Sequence, residues 1–418
     1  MLTRIITSLD KKETSKKVYN FLIILIAAFP LIGMRTEIYI IIAWCLFSII
    51  FTFKNRSYNL VLKDKKSFLI LNSYYLMALL SFFIFSLDSH QALKDLETKV
   101  LFIIFPTIFY FSKNFINKKT LGRALLSFAS SNILLAAYVW VMILKKGFIS
   151  MLKLDHHYNP VFRNVFSNTT QAHLPYLGLL FGFSCVIMIH FLLKNKTHYI
   201  LRIIIGFSIS LLLFSMMIFS ARMAIFATII SSLMLFKSLN KKQIMIVLTS
   251  VFIIVLILFF LPPSKRRISE LSQTEFILPN KTQSSKSVNF RYGVYYCSME
   301  VLKSNWLFGL GLGNVQNKLD QCYQGFDYEN FDDFGVRKYN SHNQYLNAWL
   351  TYGILGLGVF LYFLYYSFSK TTILHKSFLV LSLLALLTEN LFEREIGVML
   401  FTFFNTLFFV STRKIKST

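Results

Sequence analysis

NSHNQYLNAWLTYGILGLGVFLYFLYY, residues 340–366, decides the fold. It opens on polar residues and continues from Gln344 to Tyr366 with no charged side chain, long enough to cross a bilayer as one helix. Comparable apolar runs lie at 19–34, 37–53, 67–87, 99–112, 121–144, 172–193, 199–219, 222–236, 243–261, 373–390 and 396–411. With 55% hydrophobic residues, 17% aromatic residues and a mean hydropathy of +0.56, the chain is too apolar for a soluble protein and too regularly interrupted for a single buried core. The expectation is an all-α polytopic membrane protein of about twelve transmembrane helices. A large outer loop with amphipathic helices precedes the tenth.

Charge orients the helices, because cytoplasmic flanks collect Lys and Arg. With the N-terminus inside, the inner segments (1–18, 54–66, 113–123, 194–202, 237–242, 370–376 and 413–418) hold 25 of the 44 basic residues and 3 of the 19 acidic ones, a net +22 against +3 for the rest. Both termini are therefore expected in the cytoplasm. The formal charge of +25 is explained by topology, so no nucleic-acid partner is needed. Residues 1–17 are polar and the first apolar run has no small-residue cleavage site, so that run is read as a retained anchor. One integral membrane domain is expected: helices one to nine over 1–261, a periplasmic loop over 262–341, and helices ten to twelve over 342–418.

Two outer segments stand out. The first, Lys145 to Ala172, carries His156, His157 and Arg163 and leads to His173. The second, Pro262 to Ser341, regains a helical pattern from Val288 to Ser304, where apolar residues recur at three, four and seven; it is expected to lie along the membrane surface with Arg291 near its start. Gly309-Leu310-Gly311-Leu312-Gly313 follows. Its GxGxG spacing has no βαβ context, which leaves a tight backbone turn packed at the membrane surface rather than a nucleotide loop. Cys45 and Cys185 lie within apolar runs, whereas Cys297 and Cys322 share the outer loop, where either a disulfide or two thiols is chemically allowed.

His342 stands where a long polar stretch meets an apolar helix. Ser341 and Gln344 have the S-x-x-Q spacing of a capping box, which would make His342 the first helical residue. The helix dipole would then keep its imidazole neutral and able to accept a proton. Arg222 sits in a Ser-Ala-Arg turn with almost no loop around it, and a guanidinium so near hydrocarbon demands a partner or a function. Together, Arg222, Arg291 and a neutral His suit a diphosphate, whose oxygens accept bidentate hydrogen bonds from guanidinium.

These residues resemble the bacterial O-antigen ligase and O-antigen polymerase superfamily. His342-Asn343, nine residues, then Gly353-Ile354-Leu355-Gly356 matches its H-[N/S/Q]-x9-G-x-x-G signature. The turn at Arg222, the Arg291 helix leading into Trp306–Gly311, and the long loop before the tenth span also match; Phe226 stands where the family's R-x3-L has Leu. The resemblance implies a GT-C-like, inverting, metal- and ATP-independent glycosyltransferase of the bacterial inner membrane with its active site on the periplasmic face. It would have no cofactor, would use a polyprenyl-diphosphate-linked glycan as donor, and would take lipid A core or a growing glycan as acceptor. By the same resemblance His342 would be the base, and Arg222 and Arg291 would hold the donor diphosphate.

The remaining residues leave alternatives open. Gly353 and Gly356 are expected to let a neighbouring helix approach. Asn343 is a supporting residue; Glu389 or Glu393 orients His342, or Glu393 simply pairs with Arg394. His156, His157 and His173 bind sugar or nothing. Asp327, Glu329, Asp332 and Asp333 form a solvated patch or a hard-cation site. Ligase is favoured over polymerase because the histidine signature matches that branch. A transporter fits less well, because charges gather at one face and no inverted repeat is visible.

Overall fold

Backbone groups in hydrocarbon must be satisfied within their own segment, and every regular element among the described residues is helical. The computed structural model describes residues 2–54, 65–148, 151, 160–194, 198–238, 278, 287–326, 339–369 and 371–412. Leu2–Ile26 (α1), Phe29–Ile32 (α2), Met34–Lys54 (α3) and Lys65–Phe85 (α4) come first. Ser89–Thr98 (α5), Leu101–Phe111 (α6), Lys118–Lys145 (α7), Pro160–Thr170 (α8), Leu174–Lys194 (α9), Tyr199–Ile218 (α10) and Arg222–Leu233 (α11) follow. The C-terminal third supplies Ser287–Asn305 (α12), Val315–Tyr323 (α13), Gln344–Ser369 (α14), Ile373–Leu386 (α15) and Glu395–Thr412 (α16).

Six of these, α3, α4, α7, α9, α10 and α14, are long and apolar enough to cross a membrane, while α11, α15 and α16 are apolar but shorter. The run at 243–261 lies outside the described residues, as do His156, His157 and the acidic patch of Asp327, Glu329, Asp332 and Asp333. Two expected runs are reshaped. The first divides at Ala27-Ala28 because α2 begins with Pro30 in its first turn, and α1 instead extends back through polar sequence where Glu13 and Lys17 pair at 3.3 Å. The run at 99–112 contracts to the 11 residues of α6.

Aromatic side chains fill the centre. Phe102 of α6 meets Tyr74 of α4 and Phe392 at ring-centroid distances of 4.8 Å each, and Phe392 meets Phe401 of α16 at 4.9 Å. Phe404, one turn further on, meets Phe128 of α7 at 4.9 Å and Phe183 of α9 at 5.0 Å. Each such pair adds about 0.5–1.5 kcal/mol to ordinary packing. Helices α9 and α11 approach through small residues: a Cβ at Gly178 would lie 2.7 Å from that of Ala221 and 2.9 Å from that of Ala224, and one at Gly182 would strike the Thr228 hydroxyl. That contact fixes where α11, and so Arg222 at its first position, begins.

The loop and helix that carry the signature glycines interlock. About two and a half turns into α14, Gly353 leaves helical geometry with φ 67° and breaks the hydrogen-bond ladder. The carbonyls of Leu350 and Thr351 turn to the amides of Leu310 (2.8 Å) and Gly311 (2.9 Å), and the Ile354 amide donates to the Trp306 carbonyl at 2.9 Å. A Cβ at Gly353 would collide with the Leu307 carbonyl, and one at Gly309 would lie 2.5 Å from the Gly353 nitrogen. Gly353 therefore admits the 306–311 backbone rather than a neighbouring helix. Gly356 keeps the expected role, facing Met77 of α4.

The helix expected at 288–304 is present as α12, with Arg291 in its second turn. Cys297 and Cys322 are joined in a disulfide with their Cα atoms 5.7 Å apart, tying α12 to α13. Replacing Gly353 by Ala imposes both a left-handed backbone and a collision, and should destabilise the fold by about 3 kcal/mol or more. Gly206→Ala, with nothing within 4 Å, should be silent. Unfolding midpoints of the two variants in detergent check this; an unchanged midpoint for Gly353→Ala would contradict the interlock.

Candidate active site

Four segments meet at the end of the bundle where α14 begins: the 339–344 turn, the 388–395 turn between α15 and α16, the start of α9, and the first turns of α12. His342 lies in the turn before α14, two residues outside the helix. Its φ is 45°, a left-handed conformation uncommon for a residue with a Cβ, and its amide donates to Asn340 Oδ1 at 3.0 Å. The expected capping box does not form. Asn343 is the cap instead, its Oδ1 accepting from the Leu346 amide at 3.0 Å. The Gln344 side chain reaches away from the turn: its Oε1 accepts from the Phe392 amide at 2.7 Å and its Nε2 donates to Tyr74 Oη at 3.3 Å. Long-range partners outcompete the local cap because a fully buried amide must satisfy both of its ends.

The imidazole is neutral, as its position suggested, but for a different reason. Burial is the main cause that lowers its pKa from the usual 6.5 to about 4, and the positive charge of Arg291 and then His173 lower it further. Its Nδ1 is buried with no hydrogen-bond partner among the described residues, so no described carboxylate holds the ring through that nitrogen. Tyr339 lies 5.9 Å from the ring and Phe290, next to Arg291, stacks on Tyr339 at 5.9 Å. The Tyr339 carbonyl accepts from Gln316 Nε2 and Tyr323 Oη, both at 3.2 Å, so the disulfide-linked pair α12 and α13 holds this approach to His342.

The two glutamates diverge. Glu393 accepts from Lys99 Nζ at 2.6 Å and from Asn347 Nδ2 at 2.9 Å. Lys99 is 1% exposed, so this pair bolts α5 to α14 and the 388–395 turn; removing one partner would leave a buried charge uncompensated. Burial pushes the Glu389 carboxyl up to about 7, against the pull of Arg291 and Arg394. His342, Arg291, His173, Glu389 and Arg394 therefore share one electrostatic neighbourhood. Arg163 of α8 donates to the Phe219 carbonyl at 3.0 Å, just before the Arg222 turn.

Arg222 is exposed at the start of α11. Its turn contains a second left-handed residue, Ser220 with φ 60°, and its helix packs through Ala221 on Gly178, four residues after the start of α9. At that same end of α9, Tyr176 Oη donates to the Asn390 carbonyl at 2.9 Å, so Arg222 stands at the end of the bundle that carries His342. Asn390 is the residue sequence reasoning passed over. A lone amide among Leu391, Phe392 and the preceding apolar helix has to find partners, and that was the available signal. Among the described residues no group of three or more His, Cys, Asp or Glu side chains converges as metal ligands do.

Residues 207–361 match the family model described as O-Antigen ligase. That region holds Arg222, Arg291, the glycine loop, His342 and both signature glycines. No curated protein and no solved structure matches the chain.

The buried ring makes a direct prediction. In histidine-labelled protein without substrate, the NMR resonance lost in His342→Ala should titrate near pH 4; a midpoint near 6.5 would show a solvated imidazole.

Proposed function

We propose that this chain, whose residues 207–361 match the O-antigen ligase family model, transfers a polyprenyl-diphosphate-linked glycan to an acceptor hydroxyl. The reaction takes place at the periplasmic face of the bacterial inner membrane, with both termini in the cytoplasm and about twelve spans in a GT-C-like arrangement. The surplus of Lys and Arg in the inner segments supports this orientation. The observation that carries the proposal is His342, neutral and held outside the helix beside Arg291, at the end of the bundle where Arg222 also stands.

In the proposed step the acceptor oxygen attacks the anomeric carbon as its proton passes to the His342 imidazole. The bond from that carbon to the diphosphate oxygen breaks, the electron pair leaves with the polyprenyl diphosphate, and the configuration inverts. Arg222 and Arg291 stabilise the charge that grows on the leaving oxygens. A pKa near 4 makes a weak base in the empty site. Bound diphosphate offsets the Arg291 charge that helps depress it, so the imidazole strengthens as a base when donor is present.

Removal of a general base lowers turnover by about 10²–10⁴-fold. His342→Ala should show a loss in that range with purified polyprenyl-diphosphate glycan, and Arg222→Lys, which keeps the charge but loses the planar fork, a loss of about tenfold or more. Wild-type turnover in a folded His342→Ala protein would remove the base assignment. The ligase reading is preferred over repeat-unit polymerase on the His342-Asn343 signature. Deleting the protein and analysing the surface glycan separates the two. Loss of all attached polymer, with lipid-linked polymer retained, is the ligase outcome; single repeat units on the surface lipid would instead identify a polymerase.

A further inference from the structure

The geometry points to Asn390 as a positioning residue that holds His342 in its left-handed turn. This rests on the reading of His342 as the base. Asn390 is 1% exposed, and its one side chain reaches the residues on both sides of His342. Its Oδ1 accepts from the Asn343 amide at 2.8 Å and from the Ser341 hydroxyl at 3.2 Å, and its Nδ2 lies 3.1 Å from Ser341 Oγ. Ser341 is itself fully buried and its hydroxyl also lies 3.2 Å from the Asn343 carbonyl. His342, between two clamped neighbours and with its own amide on Asn340, is fixed at a φ of 45° that an unrestrained non-glycine residue seldom adopts.

Freed of the clamp, residue 342 returns to negative φ and its ring swings away from the approach lined by Tyr339 and Arg291. The Asn390 carbonyl adds a second link. It accepts the Tyr176 hydroxyl of α9, the helix on which the Arg222 turn packs, so one residue connects the base to the element that sets Arg222. The 388–395 turn does not need this side chain to stay in place. Gln344 holds the Phe392 amide and Lys99 holds Glu393 independently, which leaves Asn390→Ala able to fold.

A displacement of about 1 Å in a catalytic group costs on the order of 100-fold in rate. Purified full-length Asn390→Ala should therefore lose about 100-fold in kcat toward polyprenyl-diphosphate glycan, with donor affinity within about threefold of wild type, because the arginines are untouched. Asn390→Asp keeps an acceptor for both Asn343 and Ser341 and should recover at least about tenfold of that loss. Should Asn390→Ala unfold, Ser341→Ala, which removes one arm of the clamp, serves instead and should lose about tenfold in kcat. Turnover of Asn390→Ala within about threefold of wild type, a loss confined to donor affinity, or no recovery in Asn390→Asp overturns the inference. His342→Ala, assayed alongside, separates two failures: an active His342→Ala sinks the base assignment, whereas an inactive His342→Ala beside an active Asn390→Ala sinks only the clamp.

Discussion

A membrane helix that breaks must hand its freed carbonyls to another donor, and in this protein the break at Gly353 is answered by a loop whose glycines allow the backbone to come close enough. The rest of the site is built around that exchange. The loop's Leu312 amide donates to Ser81 of α4 at 3.1 Å, Asn314 Nδ2 donates to the Phe85 carbonyl at 3.0 Å, and the amide of Asp88, the cap of α5, donates to Asn314 Oδ1 at 3.4 Å. From the end of α5, Lys99 reaches Glu393; from that turn, Phe392 and Asn390 reach Gln344, Ser341 and Asn343. The circuit closes through α14 back to Leu350 and Thr351. His342 projects from this closed ring of backbone and buried polar contacts, which explains how a strained residue at a helix entrance keeps one geometry.

Electrostatics follow from the same construction. Glu393 is occupied by the buried Lys99, so among the described residues His342 meets positive charge with no carboxylate on its Nδ1. Burial beside Arg291 then keeps it neutral across the physiological range. Guanidinium beside a neutral imidazole is a combination suited to an anionic ligand. The disulfide between Cys297 and Cys322 belongs to the same arrangement, since it ties together the two helices that frame Tyr339 and carry Arg291.

Much of this was legible in the sequence, and what was not shares one cause. Apolar runs at 37–53, 67–87, 121–144, 172–193, 199–219 and 344–366 appear as α3, α4, α7, α9, α10 and α14, because length and scarcity of charge make each a helix able to cross a membrane. The α12 helix was readable from its spacing of three, four and seven. The Ser341/Gln344 box misled because the same residue pair satisfies a local rule and a distant one; Gln344 bonds Tyr74, 270 positions away, and local spacing carries no trace of that. Gly353 misled because a spacing of three describes a helix face only while the helix continues. Lys99 and Glu393, 294 positions apart, could be joined only by the fold.

We propose that a neutral His342, held by the 388–395 turn, faces a diphosphate gripped by Arg222 and Arg291. A cryo-electron microscopy structure of the protein in lipid nanodiscs with a non-transferable polyprenyl-diphosphate glycan tests it most directly. Diphosphate oxygens are expected within hydrogen-bond distance of both guanidinium groups, with the anomeric carbon facing the His342 ring. A headgroup seated away from both arginines, with His342 turned from the sugar, would contradict it.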